Sequence, residues 1–293
     1  MNPIDIQFAH YDSLFQVIEI LGLTFLIAVV SETVWDVVRG NRKRLGDTFA
    51  NGIIAIVSAL LERTAYGLIF VIGLLLVSPL ALFELPQGWW MVPLAVLTAD
   101  FTYYWMHRCE HKVRLFWANH SVHHSSQEFN FTTALRISWV DALIEWLFFI
   151  PMILLGFSLV QTVIGLVVVV AYQSWIHTEK VGKLGWLDKI FNTPSVHRVH
   201  HGSNAQYIDK NFGGILIIWD RLFGTYTPES EKVKYGITTP IGSHNPFIIN
   251  FKEYAELLHD MKQAKSWKAA LGYLFRAPGW WPENRSVHEK GMD

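Results

Sequence analysis

The hydrophobic pattern up to residue 175 consists mainly of long apolar stretches. Residues 14–30 are almost entirely apolar, which is close to the roughly 20 residues that a helix needs to cross a bilayer. Residues 49–83 are too long for one straight crossing and are interrupted by Glu62 and Arg63. The pattern therefore predicts an interfacial segment up to residue 61, followed by a span at residues 64–83.

Two more apolar regions follow these segments. The turn residues at 85–88 come before a predicted span that ends at Met106. Residues 138–170 predict a hairpin of two apolar segments that turns near residues 151–158. Together the apolar regions predict an all-α integral membrane protein with about four to five transmembrane helices.

A basic cluster after the first span sets the predicted orientation. It consists of Arg39, Arg42, Lys43 and Arg44, and such clusters mark the cytoplasmic side of a membrane. Counting spans from this cluster brings Met106 and the end of the hairpin back to the same side. We therefore predict a multi-pass protein of a bacterial inner membrane or the endoplasmic reticulum, with its polar cap facing the cytoplasm.

The chain shows no repeat or linker, so residues 1–293 are predicted to form one domain. Its parts are the N-terminal spans at residues 1–95, a histidine-rich core at 96–227 and a C-terminal cytosolic tail at 228–293. An apolar stripe with helical period predicts that the tail contains a helix packed on the domain or the bilayer surface. The stripe consists of Phe251, Tyr254, Leu258 and Met261.

Composition supports the membrane prediction and excludes other classes. Hydrophobic residues make up 51% and charged residues 17% of the chain, more apolar than the usual soluble domain. A formal net charge of −1 gives no support for nucleic-acid binding, which favours a basic domain. Cys109 is the only cysteine, so the chain has no cysteine-ligated iron–sulfur cluster.

Eight histidines recur in three groups with helical spacing. Residues at i, i+3 and i+4 share one face of a helix, and neutral imidazole binds zinc, iron, copper and nickel ions. Because one zinc ion uses about four ligands, eight histidines fit a two-metal site. The alternative is a metal site that only holds structure. The groups are His107 and His111; His120, His123 and His124; and His197, His200 and His201.

Two other polar residues lie close to these groups in the predicted helices. Asp100 lies seven residues before His107, hence on the same helical face, where it could orient His107 or pair with a nearby arginine at the helix end. Both interpretations are open. The last apolar segment brings Gln173 and His177 to the cytoplasmic end, where the histidine groups must converge.

Several motifs between residues 95 and 227 carry a family resemblance. They are DFTYYWMHR, HSVHHSS, YQSWIHTE, FNTPSVHRVHHG and DKNFGGILIIWDRLFGTY. With the histidine spacing, they resemble the sterol desaturase/fatty acid hydroxylase superfamily of integral-membrane di-iron enzymes, and in particular its alkylglycerol monooxygenase branch. The resemblance implies that the eight histidines bind two iron ions, that His177 is a ninth ligand and that Gln173 lies near the metal.

One position departs from the pattern of the alkylglycerol branch. Those enzymes use tetrahydrobiopterin and typically have an acidic residue just after the second histidine of the first group. Here Lys112 occupies that place, and Glu110 precedes the histidine. The resemblance implies tetrahydrobiopterin as a cofactor, and this departure argues against it.

The resemblance implies an O2-dependent hydroxylase that acts on a C–H bond of a membrane lipid, such as a fatty acyl chain, an ether lipid or a sterol. A desaturase with the same metals is one alternative, and a non-catalytic metal-binding membrane protein is another. The sequence has no flavin or haem-attachment motif. Electrons are therefore expected from a ferredoxin, a small cytochrome or a reductase. The oligomeric state is left open.

Overall fold

A computed structural model describes residues 11–41, 45–61 and 67–282 of the chain. Arg42, Lys43 and Arg44, the interruption at Glu62 and Arg63, and the end of the tail lie outside these ranges. The predicted orientation of the chain across a membrane therefore stays a prediction.

Helices form almost all of the regular structure in the described residues, which contain only two isolated β-bridges, Phe191–Leu216 and Gly202–Tyr235. The predicted all-α class is confirmed. The helices are α1 Asp12–Val38, α2 Leu45–Leu61, α3 Gly67–Val77, α4 Val92–Lys112, α5 Arg114–His124, α6 Ala142–Leu154, α7 Leu159–Ser174, α8 Pro194–His200, α9 Ile218–Leu222, α10 Pro246–Gln263 and α11 Trp267–Phe275. Short 3-10 turns lie at Ser78–Leu80, Trp89–Met91, Phe131–Leu135 and Leu187–Lys189.

Helix α1 is the one described helix that is both long and apolar enough to cross a bilayer. Helices α2, α6 and α7, and α3 with its 3-10 extension, are apolar but shorter, at 10–17 residues. Helix α4 contains the predicted span and continues past it to Lys112. The predicted number of four to five spans therefore stays a prediction.

The predicted hairpin is present, but its turn is shorter than expected. Pro151 lies inside α6 rather than in the turn. The helix ends where Gly156 adopts a φ of +94°, a left-handed conformation that glycine takes without steric cost. Ser158 then caps α7 by accepting a hydrogen bond from the backbone N–H of Gln161. The stop signal is therefore the glycine and the N-cap serine, not the proline.

Close packing of α4 on α7 places the histidines at and beyond the ends of these helices. A side chain at Gly165 of α7 would lie 2.7 Å from the Ala99 Cβ and 2.8 Å from the Ala95 carbonyl oxygen of α4. The absence of that side chain lets the two helices touch along their backbones. As a result, the ends of α4 and α7 bring His107 and His177 to the same end of the bundle.

The tail folds back onto the core through α10. Tyr254 and Met261 pack in a cluster with Ala118 of α5, and Phe251 packs against Trp139. Leu258, also in the predicted stripe, is exposed. The tail helix predicted from this stripe is present and supports the helix that carries the second histidine group.

Candidate metal centre

All nine predicted histidines converge at one end of the helix bundle. They form two groups, and within each group one nitrogen per residue lies within 4.8 Å of all the others. We call these group A and group B. Group A consists of His107, His111, His120, His124 and His200, and group B of His123, His177, His197 and His201.

Helices supply nearly all of these residues, as the spacing predicts. Helix α4 carries His107 and His111, and α5 carries His120, His123 and His124. Helix α8 carries His197 and His200, and His201 directly follows it. Val113 adopts an extended conformation between α4 and α5, so the chain turns sharply and returns its histidines to the same centre. Helix α5 contributes to both groups, which makes them neighbours.

The distances between ring nitrogens fit metal coordination. In group A, the His107 and His120 Nε2 atoms are 2.9 Å apart, and those of His120 and His124 are 3.1 Å apart. In group B, His177 and His197 are 2.9 Å apart between the same atoms. Two metal–nitrogen bonds of about 2.1 Å at a right angle separate their nitrogens by about 3.0 Å. Each group therefore fits one ion.

Burial keeps these imidazoles in their metal-binding form. Desolvation, followed by neighbouring histidines, lowers the pKa of His124, His200 and His201 well below the usual 6.5. These rings are therefore neutral at physiological pH. A neutral imidazole has a lone pair available for a metal ion.

One loop after α8 orients three rings of group A. The His107 Nδ1 donates to the Phe212 carbonyl oxygen at 2.9 Å, and the His200 Nδ1 donates to the Lys210 carbonyl oxygen at 3.0 Å. The His111 Nδ1 lies 3.5 Å from an Asp209 carboxylate oxygen. Protonation of Nδ1 leaves Nε2 free to bind metal, and such outer partners fix the ring orientation.

Two buried carboxylates hold this loop in place. Asp220 accepts hydrogen bonds from the backbone N–H groups of Phe212 and Gly213, both at 2.8 Å. Asp100 accepts from the backbone of Ile215 at 2.6 Å and from the Trp219 indole at 2.8 Å.

Asp100 makes neither of the direct contacts considered from the sequence, with His107 or with an arginine. It orients His107 only indirectly, through the loop that carries Phe212, and its partners are backbone and indole N–H groups rather than an arginine. The helical-face argument placed Asp100 correctly on α4 but could not show that the loop packs between Asp100 and the histidine.

Other backbone carbonyl groups orient two rings of group B. The His177 Nδ1 donates to the Gln173 carbonyl oxygen at 2.8 Å, and the His123 Nδ1 donates to the Arg136 carbonyl oxygen at 3.3 Å. Arg136 is fully buried and donates to the Asn51 amide oxygen at 2.8 Å. Gln173 thus contacts His177 through its backbone, while its side chain lines the cavity described below.

Sequence reasoning missed several supporting residues. Glu110 is buried, and one of its carboxylate oxygens lies 3.2 Å from the His120 Nδ1. Lys112 pairs with Asp209, so the acidic group beside His111 comes from the DKNFGG motif. The motif was recognised as part of the family pattern, but its Asp209 had no assigned role.

Two cavities reach the histidines from different directions. The first, which we call the chamber, has a volume of about 660 Å³ and mostly apolar walls, and it touches both groups through His120, His123 and His177. The second, which we call the cleft, has a volume of about 420 Å³ and touches His111, His124, His200 and His201. Charged residues line the cleft, among them Arg114, Lys252 and Glu253.

Comparison with known proteins supports the family resemblance. Residues 92–225 match the family model named Fatty acid hydroxylase. The chain is 44% identical to an alkylglycerol monooxygenase of Xenopus tropicalis over 67% of this chain and 43% of that protein. It is 43% identical to the human alkylglycerol monooxygenase over 69% of this chain and 45% of that protein.

A bacterial relative is more distant. An ornithine lipid hydroxylase of Rhizobium tropici is 33% identical over 52% of this chain and 48% of that protein. The chain thus spans less than half the length of these curated relatives, and no solved structure matches it. The match at residues 92–225 begins with α4 and includes all nine histidines. The family resemblance predicted from the sequence is confirmed, since these residues match the Fatty acid hydroxylase model and the chain resembles alkylglycerol monooxygenases.

Proposed function

We propose that this protein is a membrane-bound, O2-dependent oxidoreductase that hydroxylates a C–H bond of a lipid. One observation carries the proposal: two neighbouring all-histidine groups both border a mostly apolar chamber. The named relatives support it, since they are called monooxygenases and a hydroxylase of lipids. Those names favour insertion of oxygen over desaturation.

The metals proposed are two iron ions, one held by group A and one by group B. Iron is favoured over zinc because hydroxylation by O2 needs a redox-active metal, and imidazole ligands suit iron. When bound, the two ions would supply the oxidant, made from O2, that breaks an unactivated C–H bond. The protein's part is to hold the nine rings in fixed orientations, six of them through an oxygen partner at Nδ1.

The chamber is the proposed lipid site. Its outer walls consist of apolar side chains from α3 and α7, including Phe70, Leu166 and Val170. An alkyl chain buried there would gain about 0.8 kcal/mol per methylene group. The same walls keep bulk water away from the reacting carbon, which leads us to place the substrate on this side of the histidines.

The cleft is the proposed side for electron delivery. Insertion of one oxygen atom leaves the other atom of O2 to be reduced to water, which consumes two electrons and two protons. A ferredoxin, a small cytochrome or a reductase would supply these electrons. The cleft supports this proposal because charged residues line it and because it touches histidines of both groups.

The chain is proposed to cross the membrane several times, with the cleft facing the cytoplasm. Helix α1 exposes Leu23 and Ile27 at 64% and 67% of their surfaces, and exposed apolar surface of this extent is typical of contact with lipid. A cysteine at Ser203, which lines the cleft, should be labelled only from the cytoplasmic side in a Cys109→Ser background. Labelling from the opposite side would refute this orientation.

Lipid analysis of cells tests the reaction itself. Cells that produce the wild-type protein or the His120→Ala variant would be grown under isotopically labelled O2, and their lipids compared by mass spectrometry. A lipid that gains one labelled oxygen atom only with the wild-type protein supports the proposal. Loss of two hydrogens without oxygen gain would identify a desaturase, and no difference between the two strains would refute lipid oxidation.

A further inference from the structure

Two short segments pack side by side next to the loop that orients group A. The first is residues 183–190, and the second is residues 215–223, which includes α9. The Ile217 backbone N–H donates a hydrogen bond to the Ile190 carbonyl oxygen at 2.8 Å. The two segments therefore form one surface, which we call the rim.

The rim exposes large apolar side chains. Trp186 and Leu222 are 66% and 69% exposed, and Ile190 and Ile218 are 38% and 39% exposed. Grouped apolar side chains on a surface mark a contact with protein or with lipid, because their exposure to water is unfavourable. Tryptophan in particular is enriched where a bilayer meets water. The rim therefore calls for a partner that is at least partly apolar.

The rim continues the exposed apolar face of α4. The Trp219 ring lies 5.0 Å from the Phe101 ring between centroids, and the Phe223 ring lies 4.9 Å from the Trp105 ring. On α4, exposed apolar side chains recur every three or four residues, so they share one side of the helix. They are Leu94, Leu97, Phe101 and Trp105. If this side of α4 faces lipid, the same bilayer reaches the rim.

The exposed charges of the rim are all positive. Lys183, Lys189 and Arg221 are exposed, whereas the two acidic residues, Asp188 and Asp220, are buried. Both carboxylates accept hydrogen bonds from backbone N–H groups. A surface that combines exposed cations with tryptophan and leucine fits an anionic lipid surface, where cations meet phosphates and apolar side chains enter the acyl region.

The same features disfavour a protein as the occupant of the rim. Two copies of the chain joined symmetrically through the rim would bring like charges together, which costs free energy. A redox protein bound at the cleft would not cover the rim, because no residue of the rim lines the cleft. A bilayer that contains anionic lipid meets both the apolar and the charged requirement.

We propose that the rim is an interfacial anchor that binds anionic phospholipids at the bilayer surface. Trp186 and Leu222 would enter the acyl region, while Lys183 and Lys189 would contact the phosphates. This inference rests on the membrane crossing under the proposed function. It adds a selectivity for lipid charge that crossing alone does not require.

Fluorescence quenching in reconstituted membranes tests the anchor. The full chain with Cys109→Ser and Leu222→Cys would carry a fluorophore at position 222 in phosphatidylcholine nanodiscs. A small fraction of the lipid would be brominated on its acyl chain, as phosphatidylcholine or as phosphatidylglycerol. Both should quench the label. We expect phosphatidylglycerol to do so at a mole fraction about five-fold lower, equivalent to about 1 kcal/mol.

Substitution of lysines locates the selectivity. Lys183→Gln combined with Lys189→Gln should abolish the preference for phosphatidylglycerol and keep quenching by phosphatidylcholine, because Trp186 remains. The matched control combines Lys262→Gln with Lys268→Gln, two exposed lysines of the tail outside the rim. It should keep the full preference. High salt should weaken the preference of the unsubstituted rim, because it screens exposed charges.

A second label position separates the anchor from membrane crossing. A label at Leu97, on the exposed side of α4, should be quenched if α4 lies in lipid. Quenching at Leu97 but not at Leu222 would overturn the anchor and point to a protein on the rim. Quenching at Leu222 alone would refute the crossing of α4 and keep the anchor.

Two further results would overturn the anchor. They are equal quenching at Leu222 by both brominated lipids, which would mean no selection for charge, and absence of quenching at both positions. The second result would also refute the membrane crossing. If Leu222→Cys does not fold, Trp186→Cys takes its place, because that side chain is similarly exposed.

Discussion

The chamber and the cleft approach the same histidines with opposite chemistry. Helix α5 is the wall between them: His120 and His123 line the chamber, whereas His124, the next residue, lines the cleft. Apolar side chains from α3 and α7 form most of the chamber wall, whereas the cleft wall is mixed and includes charged residues of α5 and α10. Under the proposed function, the lipid would approach the histidines from the chamber and the electron donor would bind at the cleft, so the two would not compete for space.

The two sides also differ in how their histidines are held. On the cleft side, His111 and His200 depend on the loop at residues 209–212, whose carbonyl and carboxylate oxygens accept from their Nδ1 atoms. On the chamber side, His177 and His123 depend on oxygens at the end of α7 and at Arg136. The oxygen atoms that accept from these Nδ1 atoms thus belong to different segments of the chain. Metal occupancies of the two groups should therefore respond to different substitutions.

The largest effect is expected at His177, which lies outside the three histidine groups of the sequence. We expect His177→Ala to abolish turnover and to lower the metal content of group B, because it removes a ligand. The matched variant Gln173→Ala keeps the backbone carbonyl that accepts from the His177 Nδ1 and changes only a side chain at the chamber. It should therefore keep the metal content of group B and mainly slow turnover. Turnover and metal content per chain measure both effects. A His177→Ala protein with full metal and a near-normal rate would show that His177 is not a ligand.

The next effect concerns the loop that supports group A. Asp220→Ala leaves the buried N–H groups of Phe212 and Gly213 without their acceptor, which should cost about 1–3 kcal/mol of stability for each. Metal affinity of group A should fall about 10–100-fold, while group B keeps its ion. Elemental analysis after dialysis should then give close to one ion per chain.

A control separates this loss from general destabilisation. Asp260 is also buried, and it pairs with Arg114 at 2.6 Å away from the loop. Asp260→Asn should lower the unfolding temperature and leave two ions bound. Equal metal loss in both variants would contradict separate supports for the two groups.

The smallest effect is expected from substitutions that narrow one cavity at a time, measured as lipid affinity and reduction rate. Val167→Trp narrows the chamber and should weaken lipid binding about ten-fold, roughly the loss of two buried methylenes at about 0.8 kcal/mol each. Thr239→Trp narrows the cleft and should leave lipid affinity unchanged while it slows reduction by a protein donor. Lipid binding and reduction rate are measured separately. If both variants weakened lipid binding equally, the division of roles would be wrong.

The sequence predicted the histidine groups better than the residues that support them. Histidine spacing is a local property of a helix, so the face that His120, His123 and His124 share could be read directly from the chain. The oxygens that orient His107 and His200 belong to the backbone of Phe212 and Lys210. Every residue has such a carbonyl group, so no residue type signals the role.

The fold shows the same division between local and long-range features. The apolar stretches predicted α1 and the α6–α7 hairpin, because hydrophobic patterns are local. The turn of the hairpin was predicted to begin near residue 151, whereas α6 contains Pro151 and continues to Leu154. The contacts of Asp100 were not predicted, because its partners come from residues 215–219, more than 100 positions later.

Elemental analysis of the purified, active protein tests the central claim most directly. We predict two metal ions per chain, with iron as the metal in the active form. Zinc bound after overproduction would not contradict this, because zinc binds such ligands more tightly than ferrous iron. One ion per chain in a protein with full activity would contradict the account, because groups A and B would then not both be metal sites.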